Sequence, residues 1–152
     1  MGFRLIQATD LTAILHIEKQ AYSHPWSTQI FKDCLQQKRN QCWLFEQQTI
    51  QAYGVISLIV SQGQVIEAEI LNLTVAPQQQ RQGLGHTMLK HLLKQSQSAE
   101  TVYLEVRASN QVAINLYHRC GFHTIGTRPN YYPKNKQQRE DALILALTQF
   151  VF

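Results

Sequence analysis

The feature that most constrains this chain is a strand that runs into a glycine loop and then into a helix. The segment reads LTVAPQQQRQGLGH over residues 73–86. The strand candidate Val65–Val75 ends at Pro77, a polar loop follows, and helical spacing resumes after Gly83 and Gly85. The first N–H groups of a helix lack internal acceptors, and glycine lets the main chain approach a ligand closely. The junction therefore predicts an anion site built from backbone.

Two common phosphate-binding loops do not fit this junction. A Walker loop needs a Gly-Lys pair, and the chain contains none. The dinucleotide fingerprint needs a small residue where Met88 stands. Arg81 and His86 add positive charge to the loop, but a Gly-x-Gly pair after a strand is by itself a weak signal.

Hydrophobic periodicity along the chain predicts one α/β domain over residues 1–152. The predicted order, β-α-α-β-β-β-α-β-α-β-β, is typical of a mixed three-layer αβα domain. Besides 65–75, strands are expected at 3–7, 42–46, 52–61, 101–106, 122–128 and 142–150. Helices are expected over 10–21, after a cap at Ser27 or Thr28, after Gly85, and after a cap at Ser109 or Asn110.

Composition excludes several classes of protein. With 44% hydrophobic and 16% charged residues, the chain is neither disordered nor membrane-spanning. The net charge of +4 favours anionic partners without choosing among them, and no Lys/Arg run marks a nucleic-acid arm. We expect a cytoplasmic protein, because no signal-peptide pattern is present and three cysteines without a CxxC pair indicate reduced thiols. The six histidines show no metal-ligand spacing, so no metal is expected.

A carboxylate and a phenol form the second candidate constellation. Glu105 lies near the end of a predicted strand, between Leu104 and Val106, which should face the opposite way, and Tyr117 lies on the next helix. From the residues alone, the favoured interpretation of Glu105 is an exposed partner of Arg107, and that of Tyr117 is a core residue.

The glycine loop resembles that of a known family. Gln80-x-x-Gly83-x-Gly85 matches the (Arg/Gln)-x-x-Gly-x-(Gly/Ala) signature of the GNAT family of N-acetyltransferases. The resemblance implies an αβα fold, with a mixed, mostly antiparallel sheet and a splayed central strand pair, and acetyl-coenzyme A as co-substrate. The residues implied to contact acetyl-coenzyme A are Leu73, Thr74, Val75, Arg81, Gln82, Gly83, Leu84, Gly85, His86 and Asn110.

Further segments are similar to those of bacterial family members that acetylate the N-terminal alanine of small-subunit ribosomal protein eighteen. They are HPWS at 24–27, LEVRASN at 104–110, AINLYHRCGF at 113–122, NYYP at 130–133 and REDA at 139–142. This resemblance implies a partner that is a protein N-terminus, with neither nucleic acid nor membrane required. It also implies that Glu105 is the general base and Tyr117 the general acid.

Aromatic residues in two connections predict either the peptide entrance or a cover over the edge of the core. Trp26 follows the first helix, and Tyr131 and Tyr132 fall in the segment Pro129–Arg139, which we expect to be a loop between the last two strands. Two alternatives stay open from the sequence. One is acetylation of a small amine of the polyamine or aminoglycoside type, and the other is a non-catalytic acyl-coenzyme A-binding module.

Overall fold

The computed structural model describes residues 2–149, which form eleven regular helices and strands around a single sheet. The strands are β1 Gly2–Leu5, β2 Asn40–Gln47, β3 Thr49–Ser61, β4 Gln64–Val75, β5 Thr101–Arg107, β6 His123–Pro133 and β7 Arg139–Thr148. The helices are α1 Leu11–Ala21, α2 Thr28–Gln36, α3 Leu84–Gln95 and α4 Gln111–Arg119. Their order along the chain confirms the predicted one. Phe150, the expected end of the last strand, lies outside the described residues.

Two separate cores, one on each face of the sheet, make the fold three-layered. On one face α1 and α2 pack against β2 and β3, through side chains such as Ile14, Phe31 and Leu44. On the other face α3 and α4 pack against β3, β4 and β5, through side chains such as Leu89 and Ile114. The expected αβα architecture is therefore confirmed. No helix within residues 2–149 is long and apolar enough to cross a membrane.

The sheet has the strand order β1-β2-β3-β4-β5-β7-β6, and β4 and β5 form its single parallel pair. These two strands are paired only where Glu67–Ile70 lies beside Thr101–Leu104. Beyond that point β4 remains paired with β3 up to Val75, and β5 remains paired with β7 up to Arg107. The two strands thus separate into a cleft at their carboxyl ends, which confirms the expected splayed pair.

The segment Pro129–Arg139 differs from the loop that we expected. β6 continues through Pro133, so that only residues 134–138 connect it to β7. The β6–β7 register shifts between Arg128 and Tyr132, and Asn130 has a φ of 51°. Proline and left-handed asparagine are typical of loops, but here a bulge accommodates both of them within a paired strand.

Side-chain caps fix the starts of α2 and α4. Ser27 Oγ accepts a hydrogen bond from the Ile30 backbone N–H at 3.2 Å and caps α2. Asn110 Oδ1 accepts one from the Ala113 N–H, also at 3.2 Å, and caps α4. In each case one of the two predicted cap residues is the cap, because its side chain satisfies a free N–H of the first turn.

Candidate active site

A cavity of about 200 Å³ lies where β4 and β5 separate. Glu105 on β5, Tyr117 on α4 and the cap residue Asn110 line it from one side. Trp26, from the α1–α2 connection, and Tyr132, from β6, also line it. With Leu73 on β4, which also lines it, the cavity brings together six predicted site residues that are separated by up to 106 positions in the sequence.

Tyr131 is the predicted aromatic residue that does not line this cavity. It is 44% exposed, and its ring packs edge-on against Tyr132, with the centroids 5.0 Å apart.

A larger cavity, of about 280 Å³, lies beside β1 and β2 and is lined by residues such as Leu5, Asn40 and Gln95. It contains none of the predicted site residues, so we place the candidate site in the smaller cavity, where the reactive side chains converge.

The loop before α3 presents a run of free backbone amides. Among the described residues, none accepts a hydrogen bond from the backbone N–H groups of residues 81–86. The first N–H to bond is that of Thr87, which donates to Gly83 O at 3.0 Å. Because these amides precede and begin a twelve-residue helix, the helix dipole adds partial positive charge to them. The loop therefore has the geometry of an anion site, as the sequence predicts.

The two glycines of this loop serve different purposes. Gly83 caps α3 with a φ of 81°, and a Cβ added there would meet no atom within 4 Å, so the position needs glycine for its backbone conformation. A Cβ on Gly85 would lie 3.3 Å from Leu116 Cδ2 and 3.8 Å from Val75 Cγ2. Gly85 thus lets α3 lie close to α4, where a Cβ would crowd the Leu116 side chain.

Glu105 is held at the cavity by a cation from another strand. Its Oε1 lies 2.8 Å from Nε of Arg128 on β6. The alternative partner, Arg107, instead donates to Pro133 O at 2.8 Å and lies over the Tyr132 ring. Leu104 and Val106 are buried on the opposite face, as their alternation with Glu105 predicts.

A second carboxylate, Glu69 on β4, lies near Glu105. Burial, together with the negative charge of Glu105, raises the pKa of Glu69 above its ordinary value. Glu69 does not line the cavity, whereas Glu105 does. The two carboxylates are therefore distinguished by access to the cleft.

Tyr117 is both a core residue and part of the cavity wall. It is 7% exposed and packs edge-on against Phe122, with the centroids 5.7 Å apart. Burial raises the pKa of Tyr117, and the nearby phenols of Tyr22 and Tyr132 add to the effect. Its hydroxyl consequently keeps its proton well into the alkaline range, so that it can serve as a proton donor.

Our sequence analysis missed a buried polar network whose members Glu18 and Asn72 line the cavity. Glu18 on α1 is 2% exposed, and it accepts hydrogen bonds from the Tyr53 hydroxyl at 2.6 Å and from the Asn72 side-chain amide at 3.3 Å. The partners of Glu18 lie 35 and 54 positions away in the sequence, and local spacing carries no signal of them. Within residues 2–149, no cluster of three His, Cys, Asp or Glu side chains is arranged to hold a metal ion.

Comparison with known proteins decides the family. The profile of the acetyltransferase (GNAT) family matches residues 11–122, well over half of the chain. The chain belongs to the GNAT family. This membership agrees with the splayed β4–β5 pair and with the amide-rich loop before α3.

Several GNAT relatives match nearly the whole chain. The ribosomal protein bS18-alanine N-acetyltransferase of Escherichia coli (strain K12) is 38% identical over 144 residues, which cover 93% of each protein. The enzyme of the same name from Haemophilus influenzae is 32% identical over 143 residues, covering 93% of this chain and 94% of that protein.

Solved structures agree with these relatives. The crystal structure of the ribosomal-protein-S18-alanine N-acetyltransferase from Escherichia coli superposes with a TM-score of 0.87 at 36% identity, covering 99% of this chain and 95% of that one. The structure of Arabidopsis thaliana NAA60 in complex with acetyl-CoA superposes with a TM-score of 0.82, covering 96% of this chain and 97% of that one. At 18% identity, that second likeness shows the fold alone.

Proposed function

We propose that this GNAT protein transfers an acetyl group from acetyl-coenzyme A to the N-terminal α-amino group of a protein, and that its substrate is the N-terminal alanine of ribosomal protein bS18. The observation that carries the proposal is the shared cavity, in which Glu105 and Tyr117 lie where the ends of β4 and β5 separate from each other. Full-length relatives that carry the name of this activity support the choice of substrate. A ribosomal substrate also implies that the enzyme acts in the cytoplasm.

The chain offers two surfaces that fit acetyl-coenzyme A. The free amides of residues 81–86 suit its diphosphate, and the exposed Arg81 adds charge beside them. Leu73–Val75 has no strand partner on the side of β5, although Leu73 O accepts a hydrogen bond from the Tyr22 hydroxyl, and this edge of β4 suits the amides of the pantetheine arm. When bound, acetyl-coenzyme A supplies the activated thioester.

Glu105 is the proposed general base. An α-amino group has a reference pKa of about 7.7–8.0, so that much of it is protonated at neutral pH and cannot attack. The Glu105 carboxylate lines the cleft with its side chain 20% exposed, and it is therefore able to accept this proton directly or through one water. Arg128, whose Nε lies 2.8 Å from Oε1, fixes its orientation.

Tyr117 is the proposed general acid. The coenzyme A thiolate needs a proton as it leaves, and the buried Tyr117 hydroxyl retains one at neutral pH because its pKa is raised. Such acid and base steps contribute roughly 10²–10⁴-fold each, and the remaining rate enhancement comes from holding the amine and the thioester together.

The peptide side of the cavity is formed by Trp26 and Tyr132, with Tyr131 on the rim. We expect a flexible chain end to enter between these aromatic side chains. A lysine side chain held on a folded surface would meet the rim first, which favours an N-terminal substrate.

A thiol-release assay tests the proposal. The chain is incubated with acetyl-coenzyme A and a peptide that begins with the alanine of bS18. The same peptide with a blocked N-terminus is the control. Turnover with only the free peptide supports the proposal. Turnover confined to polyamines or aminoglycosides would establish a small-amine enzyme, and acetyl-coenzyme A binding without turnover of any amine would establish a binding module. Either result would contradict it.

A further inference from the structure

A buried carboxylate ties the α1–α2 connection, residues 22–27, to the sheet. Glu18 Oε2 accepts a hydrogen bond from the Trp26 backbone N–H at 2.9 Å. Its Oε1 accepts hydrogen bonds from Tyr53 on β3 and Asn72 on β4. Among residues 2–149, no Lys, Arg or His forms an ion pair with it. Since a buried carboxylate is costly, these three donors are what keeps Glu18 in place.

The same network continues into the strand proposed to hold acetyl-coenzyme A. Asn72 Oδ1 accepts a hydrogen bond from Thr74 Oγ1 at 2.7 Å. Tyr22, the first residue after α1, donates from its hydroxyl to Leu73 O at 3.0 Å. The α1–α2 connection is therefore held against β4 at both of its ends.

We propose that Glu18 is a positioning residue that sets substrate selectivity by fixing the wall formed by the α1–α2 connection. This inference rests on the proposed function. Tyr22 and Trp26 both line the cavity that holds Glu105, so their distance from the sheet sets the room for the first side chain of the peptide. Glu18 holds this wall through a backbone N–H, and the wall therefore keeps its place independently of the Trp26 ring. A wall that cannot retreat admits a small first side chain, such as that of alanine, and excludes a large one.

Glu18→Gln isolates this tether. Glutamine offers one acceptor oxygen and one NH₂ donor to the three donors that face residue 18. The glutamine oxygen accepts the hydrogen bonds of Tyr53 and Asn72, which share Oε1 in the native protein. Its NH₂ group then faces the Trp26 N–H, and because both groups are donors no hydrogen bond forms between them. The substitution therefore releases the connection while it keeps the shape of the side chain and its contacts with the sheet.

The decisive measurement is kcat/KM for two peptides that differ only in their first residue, alanine or leucine. In Glu18→Gln the preference for alanine should fall by about tenfold, the size expected for a lost hydrogen bond to a charged acceptor. The peptide KM should rise, while the KM for acetyl-coenzyme A stays within roughly twofold, since the amides of 81–86 are untouched. A structural role alone would lower the melting temperature without changing the preference.

Tyr53→Phe is the matched control. It removes the 2.6 Å hydrogen bond to the other oxygen of Glu18 but leaves the Trp26 tether intact. It should lower the melting temperature and leave the preference for alanine unchanged. If Glu18→Gln shows no cooperative thermal transition, Glu18→Asp carries the same test, because its shorter carboxylate cannot reach both the connection and the sheet.

An unchanged alanine preference in a folded Glu18 variant would overturn this inference while leaving the proposed function standing. Loss of the preference in Tyr53→Phe as well would also overturn it, because the effect would then follow general loosening of the network. Failure of the wild-type protein to acetylate either peptide would overturn the proposed function and this inference together.

Discussion

Replacing Glu105 by glutamine separates a catalytic role from a structural one. The variant keeps an oxygen for Arg128 to bind and loses only the charge of the pair. The side chains of Glu105 and Arg128 are 20% and 54% exposed, and exposed ion pairs contribute about 0–1 kcal/mol. The free energy of unfolding should therefore fall by less than about 1 kcal/mol.

The catalytic effect of the same substitution should be much larger. Loss of a general base lowers kcat by roughly 10²–10⁴-fold, which corresponds to about 3–5 kcal/mol in the activation free energy. Thiol release at saturating concentrations of both substrates measures kcat, and urea unfolding measures stability. Binding of acetyl-coenzyme A should be unchanged, because its proposed contacts lie on β4 and the loop before α3.

Glu69→Gln is the matched control for this experiment. It removes the neighbouring carboxylate, which lies near Glu105 but does not line the cavity. Its kcat should stay within roughly threefold of wild type, because Glu69 takes no proton in the reaction. A folded Glu105→Gln variant with kcat within about tenfold of wild type would refute the assignment of the base.

Three further predictions concern the rest of the site. Gly83→Ala and Gly63→Ala both force alanine into a left-handed conformation with open space at Cβ, so each should lower the free energy of unfolding in urea by about 1–2 kcal/mol. Only Gly83→Ala should raise the KM for acetyl-coenzyme A. Equal KM values in the two variants would contradict the assignment of the loop. Tyr117→Phe should lower kcat. Because burial raises the pKa of Tyr117, its hydroxyl stays protonated as pH rises, and wild-type kcat should not decline below about pH 10 through loss of this proton. A decline below that pH that Tyr117→Phe abolishes would contradict the assignment of Tyr117 as the acid. Tyr132→Ala should raise the peptide KM more than Tyr131→Ala does, since only Tyr132 lines the cavity; equal effects, or a matching rise in the KM for acetyl-coenzyme A, would oppose this placement.

Local sequence patterns were sufficient to predict the elements whose conformation is determined by residues close together in the chain. The strand–loop–helix junction at 73–86 follows from the proline, the glycines and the return of helical spacing. The Asn110 cap follows from an asparagine placed before a periodic segment. Alternation also identified the buried faces of Leu104 and Val106, and with them the direction in which Glu105 points.

Long-range contacts account for what the sequence did not predict. The Glu18 network joins α1 to β3 and β4. Glu18 stands four residues after Ile14 and seven after Leu11, on the buried face of α1, but this spacing does not identify its partners on the strands. Arg107 is the partner that alternation favours for Glu105, but the bulged β6 strand brings Arg128 to the carboxylate instead. The same bulge makes Pro129 and Asn130 resemble loop residues, although the strand resumes after them.

A crystal structure with bound acetyl-coenzyme A tests the central claim most directly. The account predicts that the diphosphate accepts hydrogen bonds from the amides of residues 81–86, and that the acyl end lies between β4 and β5, within reach of the Glu105 carboxylate. A diphosphate bound elsewhere, for example in the larger cavity beside β1 and β2, or a Glu105 side chain turned away from the thioester, would contradict it.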